Sequence, residues 1–200
     1  MSNFLLHEPE AVLIHIPKTG GTSIRNGVWE KRYEGPVFGV IPGAWQGLYK
    51  FAFVRHPCDR LISAWRMFTD GTMTMPGQPF AMETRQLDLA AFIDIVIDDS
   101  IIYDERRSTF AERIRHHTIP QTHPFNCLGH ADFIGRYENL DADFRHVCKV
   151  LGVDAELPRM HFTTRGLWRE YMDDADIARC REFYRDDFAQ FGYSTTQAGN

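Results

Sequence analysis

No apolar run in this chain approaches the ~20 residues needed to span a bilayer. The start, Met1 to Glu10, has no basic stretch followed by an apolar core, which is the pattern of a secretory leader. The expectation is a cytoplasmic chain without a membrane partner. Cysteine is scarce: Cys58, Cys127, Cys148 and Cys180 lie far apart and form no C-x-x-C pair. That spacing argues against zinc and gives a disulfide framework no support. Reduced, packed thiols and no metal are expected. Basic residues are outnumbered, 22 Lys+Arg against 27 Asp+Glu, for a net charge of −5. A dedicated nucleic-acid binder is more often basic, so no nucleic-acid partner is expected. The pattern G-x-x-x-x-G-K-[ST] is also missing, which counts against a standard ATPase or kinase.

What is present begins with a phosphate-cradle signature. Two hundred residues, 44% of them hydrophobic, suffice for one domain with a real core, taken here as residues 1–200. Residues 11–16 are an apolar run that reads as a buried strand. Pro17-Lys18-Thr19-Gly20-Gly21-Thr22-Ser23 follows. Strand, glycine turn and helix start together expose backbone N–H groups and the positive end of a helix dipole to an anion. Lys18 adds a mobile point charge, and the hydroxyls of Thr22 and Ser23 add donors. The same residues also suit an ordinary turn.

A second anchor is Phe51-Ala52-Phe53-Val54-Arg55-His56-Pro57-Cys58-Asp59-Arg60-Leu61-Ile62-Ser63-Ala64-Trp65. Arg55 follows a buried strand over 49–54. Pro57 suits the first turn of a helix over 58–68, and Ser63 lies two turns in. The planar guanidinium of Arg55 favours bidentate phosphate contacts. Two cradles on two strands fit a nucleotide phosphorylated at two distant positions. Arg60 and Trp65 read as structural.

Periodicity predicts further helices over 22–31, 87–97, 105–116, 140–151 and 174–190, and a short strand over 133–135. Residues 35–47 read as loop with one short strand, and 69–80 as a surface loop. Strands separated by helices predict an α/β fold, a three-layer sandwich with a mostly parallel central sheet.

The motifs H-I-P-K-T-G-G-T-S (15–23) and F-V-R-H-P-x-x-R-L-x-S-x-W (53–65) resemble those of sulfotransferases that use 3′-phosphoadenosine-5′-phosphosulfate (PAPS). The likeness is to the carbohydrate branch, including the 2-O type, and its short bacterial relatives. Asp132-Phe133-Ile134-Gly135-Arg136-Tyr137-Glu138-Asn139-Leu140 with Asp143-Phe144, and the ending over 184–193, resemble the same family. The resemblance implies a P-loop-like sulfotransferase fold and PAPS as sulfuryl donor. It implies a hydroxyl-bearing acceptor, carbohydrate or a small glycosylated molecule. By position, Lys18, Thr19, Gly20, Gly21, Thr22 and Ser23 would hold the 5′-phosphosulfate, with Lys18 neutralising charge on the bridging oxygen. Arg55 and Ser63 would grip the 3′-phosphate, and Arg165 would add a contact.

One departure concerns the general base that an acceptor hydroxyl needs. In the 2-O branch a catalytic His precedes the second strand. Here residues 33–50 contain no His, and Glu34 is their sole carboxylate. His15, at the strand end beside the cradle, is the leading replacement, and it also reads as a core histidine. His56, His123 and Glu34 are further candidates. The rival to catalysis is a PAPS-binding or bisphosphate-binding protein that has lost its base.

Overall fold

The computed structural model describes residues 2–25, 29, 32–69, 87–103, 109–158 and 167–196. Among these residues five strands form one sheet: β1 (Ser2–Leu6), β2 (Ala11–His15), β3 (Tyr33–Phe38), β4 (Lys50–Val54) and β5 (Phe133–Arg136), in the order β3-β1-β2-β4-β5. Seven α-helices accompany them among the described residues: α1 (Gly21–Ser23), α2 (Pro57–Thr69), α3 (Leu89–Ile97), α4 (Phe110–Thr118), α5 (Leu140–Leu151), α6 (Asp174–Phe183) and α7 (Arg185–Phe191). The chain divides into two units, residues 1–55 with 121–165 and residues 56–120 with 166–200.

The sheet, α1 and α5 belong to the first unit. β2 pairs parallel with β4, and β4 with β5. β1 pairs antiparallel with both β2 and β3. The sheet is therefore mixed, which corrects the expectation of a mostly parallel one. The cause is local: four residues, 7–10, connect β1 to β2, and so short a link permits only antiparallel pairing. β4 is buried along its whole length, as a strand central to a parallel region requires. Alternate residues Ala11 and Leu13, with Phe51 and Phe53, point into a core with Phe4, Leu6, Ile24, Trp29, Phe144 and Val147.

The third sequence motif fastens β5 into this frame. Asp132 accepts from the Lys50 amide at 2.8 Å, and Asp143 accepts from the Arg136 amide at 2.6 Å and from Asn139 Nδ2 at 2.7 Å. A Cβ on Gly135 would fall 2.5 Å from the Phe53 ring, so only glycine allows β5 to close on β4. α5 ends at Gly152, whose left-handed backbone (φ 68°) caps it as the sequence predicts. Of the helix expected over 22–31, Gly21–Ser23 is helical, and residues 26–28, 30 and 31 lie outside the described residues.

The second unit is helical and stitched by buried polar groups. Arg60, 1% exposed, donates to the carbonyls of His117, Thr118 and Ile119 and thereby caps the C-terminus of α4. A capping box, Thr109 with Glu112, starts α4 at Phe110; residues 105–108 of the expected helix lie outside the described residues. Trp65 Nε1 donates to the Leu87 carbonyl at 2.9 Å. The last helix, expected over 174–190, is broken in two at Tyr184 (φ −100°, ψ 23°). The Tyr184 ring is buried there and its hydroxyl donates to the Thr118 carbonyl at 2.6 Å.

Candidate functional site

The carboxyl ends of β2, β4 and β5, which run parallel side by side, deliver three segments to one edge of the sheet. After β2 come Ile16 to Gly20, after β4 comes Arg55, and after β5 comes Tyr137. Open α/β sheets bind ligands at such edges.

The loop after β2 is held by its own polar groups. Thr19, 2% exposed, turns its hydroxyl back to the Ile16 carbonyl at 2.8 Å. Arg55 Nη1 donates to the Lys18 carbonyl at 3.0 Å. Between these ties Lys18 sits in the left-handed region (φ 72°), which costs a non-glycine residue about 1–2 kcal/mol. Strain of this kind persists where the surroundings enforce it and concentrates at ligand clamps.

Both glycines are demanded by their surroundings. Gly20 has φ 89°, and a Cβ there would meet Leu140 Cδ2 at 2.9 Å; at Gly21 a Cβ would lie 2.6 Å from His15 Nε2. His15, the last residue of β2, thus lays its ring along the first residue of α1, with the Phe4 ring 5.8 Å away. Ser23 is buried and Thr22 is exposed.

Arg55 is 5% exposed and clamped from three sides. Its amide donates to Gln121 Oε1 at 2.8 Å, and Gln121 Nε2 donates to its carbonyl at 2.9 Å. Gln121 is fully buried, and its own carbonyl accepts from Asn126 Nδ2 at 2.9 Å. The Arg55 guanidinium lies 3.9 Å from the centre of the Tyr137 ring, a cation–π contact. Register explains this, because Val54 and Arg136 are partners across β4 and β5.

Two cations therefore meet at one edge, Lys18 on the turn after β2 and Arg55 after β4. The Lys18 ammonium is half-buried, and no acidic side chain among the described residues pairs with it. Burial, and then the charge of Arg55, lower its pKa from the usual lysine value to about 8. A hydrogen-bonded backbone, the Lys18 ammonium and backbone strain make this edge suited to an anion.

The other candidates fall elsewhere. Ser63 lies half-buried on α2, in the second unit. Arg165 and residues 70–80 lie outside the described residues. His56 is 3% exposed, stacked on Trp168 at 5.1 Å, with Nε2 at 3.1 Å from the Ser194 carbonyl; it is a packed core residue of the second unit. His123 Nδ1 accepts from the Phe125 amide at 3.2 Å and caps a short turn. Glu34 pairs with His7 at 3.3 Å on the edge strand β3. Sequence reasoning missed Gln121 as the clamp on Arg55. The contact of Tyr137 with Arg55 is signalled in sequence by the third motif following the second on a neighbouring parallel strand.

Comparison with known proteins bears on the part of the chain that carries Arg55 and Tyr137. The family model described as "Sulfotransferase family" matches residues 41–194. The chain is 30% identical over 128 residues to carbohydrate sulfotransferase 14 of Homo sapiens, covering 62% of this chain and 33% of that protein. It is 29% identical over 168 residues to carbohydrate sulfotransferase 11 of Rattus norvegicus, covering 72% of this chain and 47% of that protein. The chain thus spans between a third and about half the length of these curated relatives. No solved structure matches the chain at a comparable level.

Proposed function

Because this chain belongs to the sulfotransferase family, we propose that it moves a sulfuryl group from PAPS to a hydroxyl of a carbohydrate or small glycosylated acceptor. The observation that carries the proposal is a pair of cations at the parallel edge of the sheet, Lys18 on a strained turn and Arg55 tied to that turn's backbone. The residues fit the donor: an ammonium with no acidic partner among the described residues, a clamped guanidinium and a glycine turn suit an anionic phosphosulfate. When bound, PAPS supplies the sulfuryl group and leaves adenosine 3′,5′-bisphosphate. Lys18 holds a proton on Nζ where negative charge accumulates, and its neutralising role is electrostatic. Thr19, Gly20, Gly21, Thr22 and Ser23 shape the turn. Arg55 and Ser63 are assigned to the 3′-phosphate by the sequence resemblance, and Arg165 to a further contact.

His15 is proposed as the base because its ring borders the turn at Gly21. The carbohydrate in the relatives' names supports the acceptor class. A P-loop-like sulfotransferase fold with three layers, and a cytoplasmic location, belong to the same proposal. No helix among the described residues is long and apolar enough to cross a membrane.

The test is transfer of radiolabelled sulfate from PAPS to a panel of oligosaccharides. Lys18→Ala should remove most turnover, and His15→Ala should lower kcat with KM for PAPS little changed. Wild-type turnover retained in Lys18→Ala would overturn the assignment. Binding of the bisphosphate with no transfer to any acceptor would favour the non-catalytic alternative.

A further inference from the structure

Outside the proposed site, two thiols of the second unit face one another. Cys58 lies in the first turn of α2 and Cys180 in the last turns of α6. Their exposures are 0% and 1%, and their sulfurs are 3.4 Å apart across 122 positions of sequence. Both are free thiols. Cys127 and Cys148 make no such pair; their sulfurs face the carbonyls of Phe125 and Ala155.

The pair is chemically unequal. The Cys180 S–H donates to Cys58 Sγ, and this hydrogen bond, with His56 two residues away, holds the Cys58 thiol below its usual range against the opposing effect of burial. Burial and the facing Cys58 sulfur push Cys180 up. The first turn of a helix further favours thiolate at Cys58. A nucleophilic sulfur next to a protonated partner is the arrangement of an attacking and a resolving cysteine. A disulfide places its sulfurs about 2.05 Å apart, so bonding requires an approach of little more than 1 Å.

We propose that Cys58 and Cys180 form an oxidisable dithiol that a hydroperoxide, admitted when the second unit opens locally, converts to an intramolecular disulfide. The Cys58 thiolate attacks one peroxide oxygen, the O–O bond breaks, and Cys58 becomes a sulfenic acid as hydroxide leaves and takes up a proton. The Cys180 sulfur then attacks the Cys58 sulfur, the S–O bond breaks, and the Cys180 proton leaves with that oxygen as water. Two thiols lose two electrons in all, and one hydrogen peroxide becomes two waters.

The test is peroxide treatment of the whole chain, followed by alkylation in denaturant and peptide mapping by mass. Free glutathione oxidised in the same tube serves as the positive control. Cys58 and Cys180 should vanish from the alkylated pool and appear as one cross-linked species, two hydrogens lighter and reversed by dithiothreitol. Cys127 and Cys148 should remain alkylated. In Cys180→Ala, dimedone should trap the Cys58 sulfenic acid. Full alkylation of Cys58 and Cys180 after the glutathione control is consumed, or a disulfide joining other cysteines, would overturn the proposal.

Discussion

Lys18 combines three features that oppose folding: a left-handed backbone, a half-buried ammonium and a cationic neighbour. A bound anion relieves the last two. Its folded pKa of about 8 lies below the ordinary lysine value, so an anion that favours the charged form raises it and binding takes up a proton. Affinity for adenosine 3′,5′-bisphosphate should therefore fall as pH rises through about 8, approaching tenfold per pH unit. Calorimetry near pH 8.5 in two buffers of different ionisation enthalpy should register the uptake, and Lys18→Met should abolish it.

Gly21 offers a second residue-scale test, since its missing side chain makes room for the His15 ring. Gly21→Ala should destabilise by about 1–3 kcal/mol. The loss should shrink in a His15→Ala background, where the ring is gone; a purely additive double-mutant cycle would contradict the contact. The glycines and Lys18 were legible in sequence because they are contiguous. Gln121 was not, because a single buried amide in an irregular segment carries no periodicity. Its only signature is the distant Arg55 backbone it completes. Gln121→Leu should cost about 2 kcal/mol by leaving that N–H and C=O unpaired, and should weaken bisphosphate binding; unchanged stability would show that the clamp contributes little.

At the scale of elements, strands β2, β4 and β5 and helix α5 follow from apolar runs and a terminal glycine. β1 escaped because its five residues open with Ser2 and Asn3 and adjoin the chain start. β3 contains Gly35-Pro36, which reads as a turn, yet it is the sheet's edge strand, where proline is tolerated. The apolar stripe of the last helix continues through Tyr184, so periodicity could not reveal the break there. Arg60 illustrates the same point in the second unit: a motif residue whose task is to cap α4. Arg60→Met should lower unfolding stability by about 2–4 kcal/mol, because it strands buried carbonyls. Denaturant titration checks this, and a loss within 0.5 kcal/mol, roughly the range of ordinary surface changes, would contradict the capping role.

For the whole molecule, a net charge of −5 coexists with a sheet edge that brings Lys18 and Arg55 together. Local placement, not total charge, defines what the protein attracts. The central claim is that this edge belongs to a site for a nucleotide phosphorylated at both the 3′ and 5′ positions. Its most direct test is thermal stabilisation by adenosine 3′,5′-bisphosphate, with ADP and adenosine 5′-phosphosulfate as controls. At ~100 times its dissociation constant the bisphosphate should add about 2.7 kcal/mol, with much smaller shifts from the controls and from the bisphosphate on Lys18→Ala. An equal shift with ADP, or none with the bisphosphate, would contradict the account.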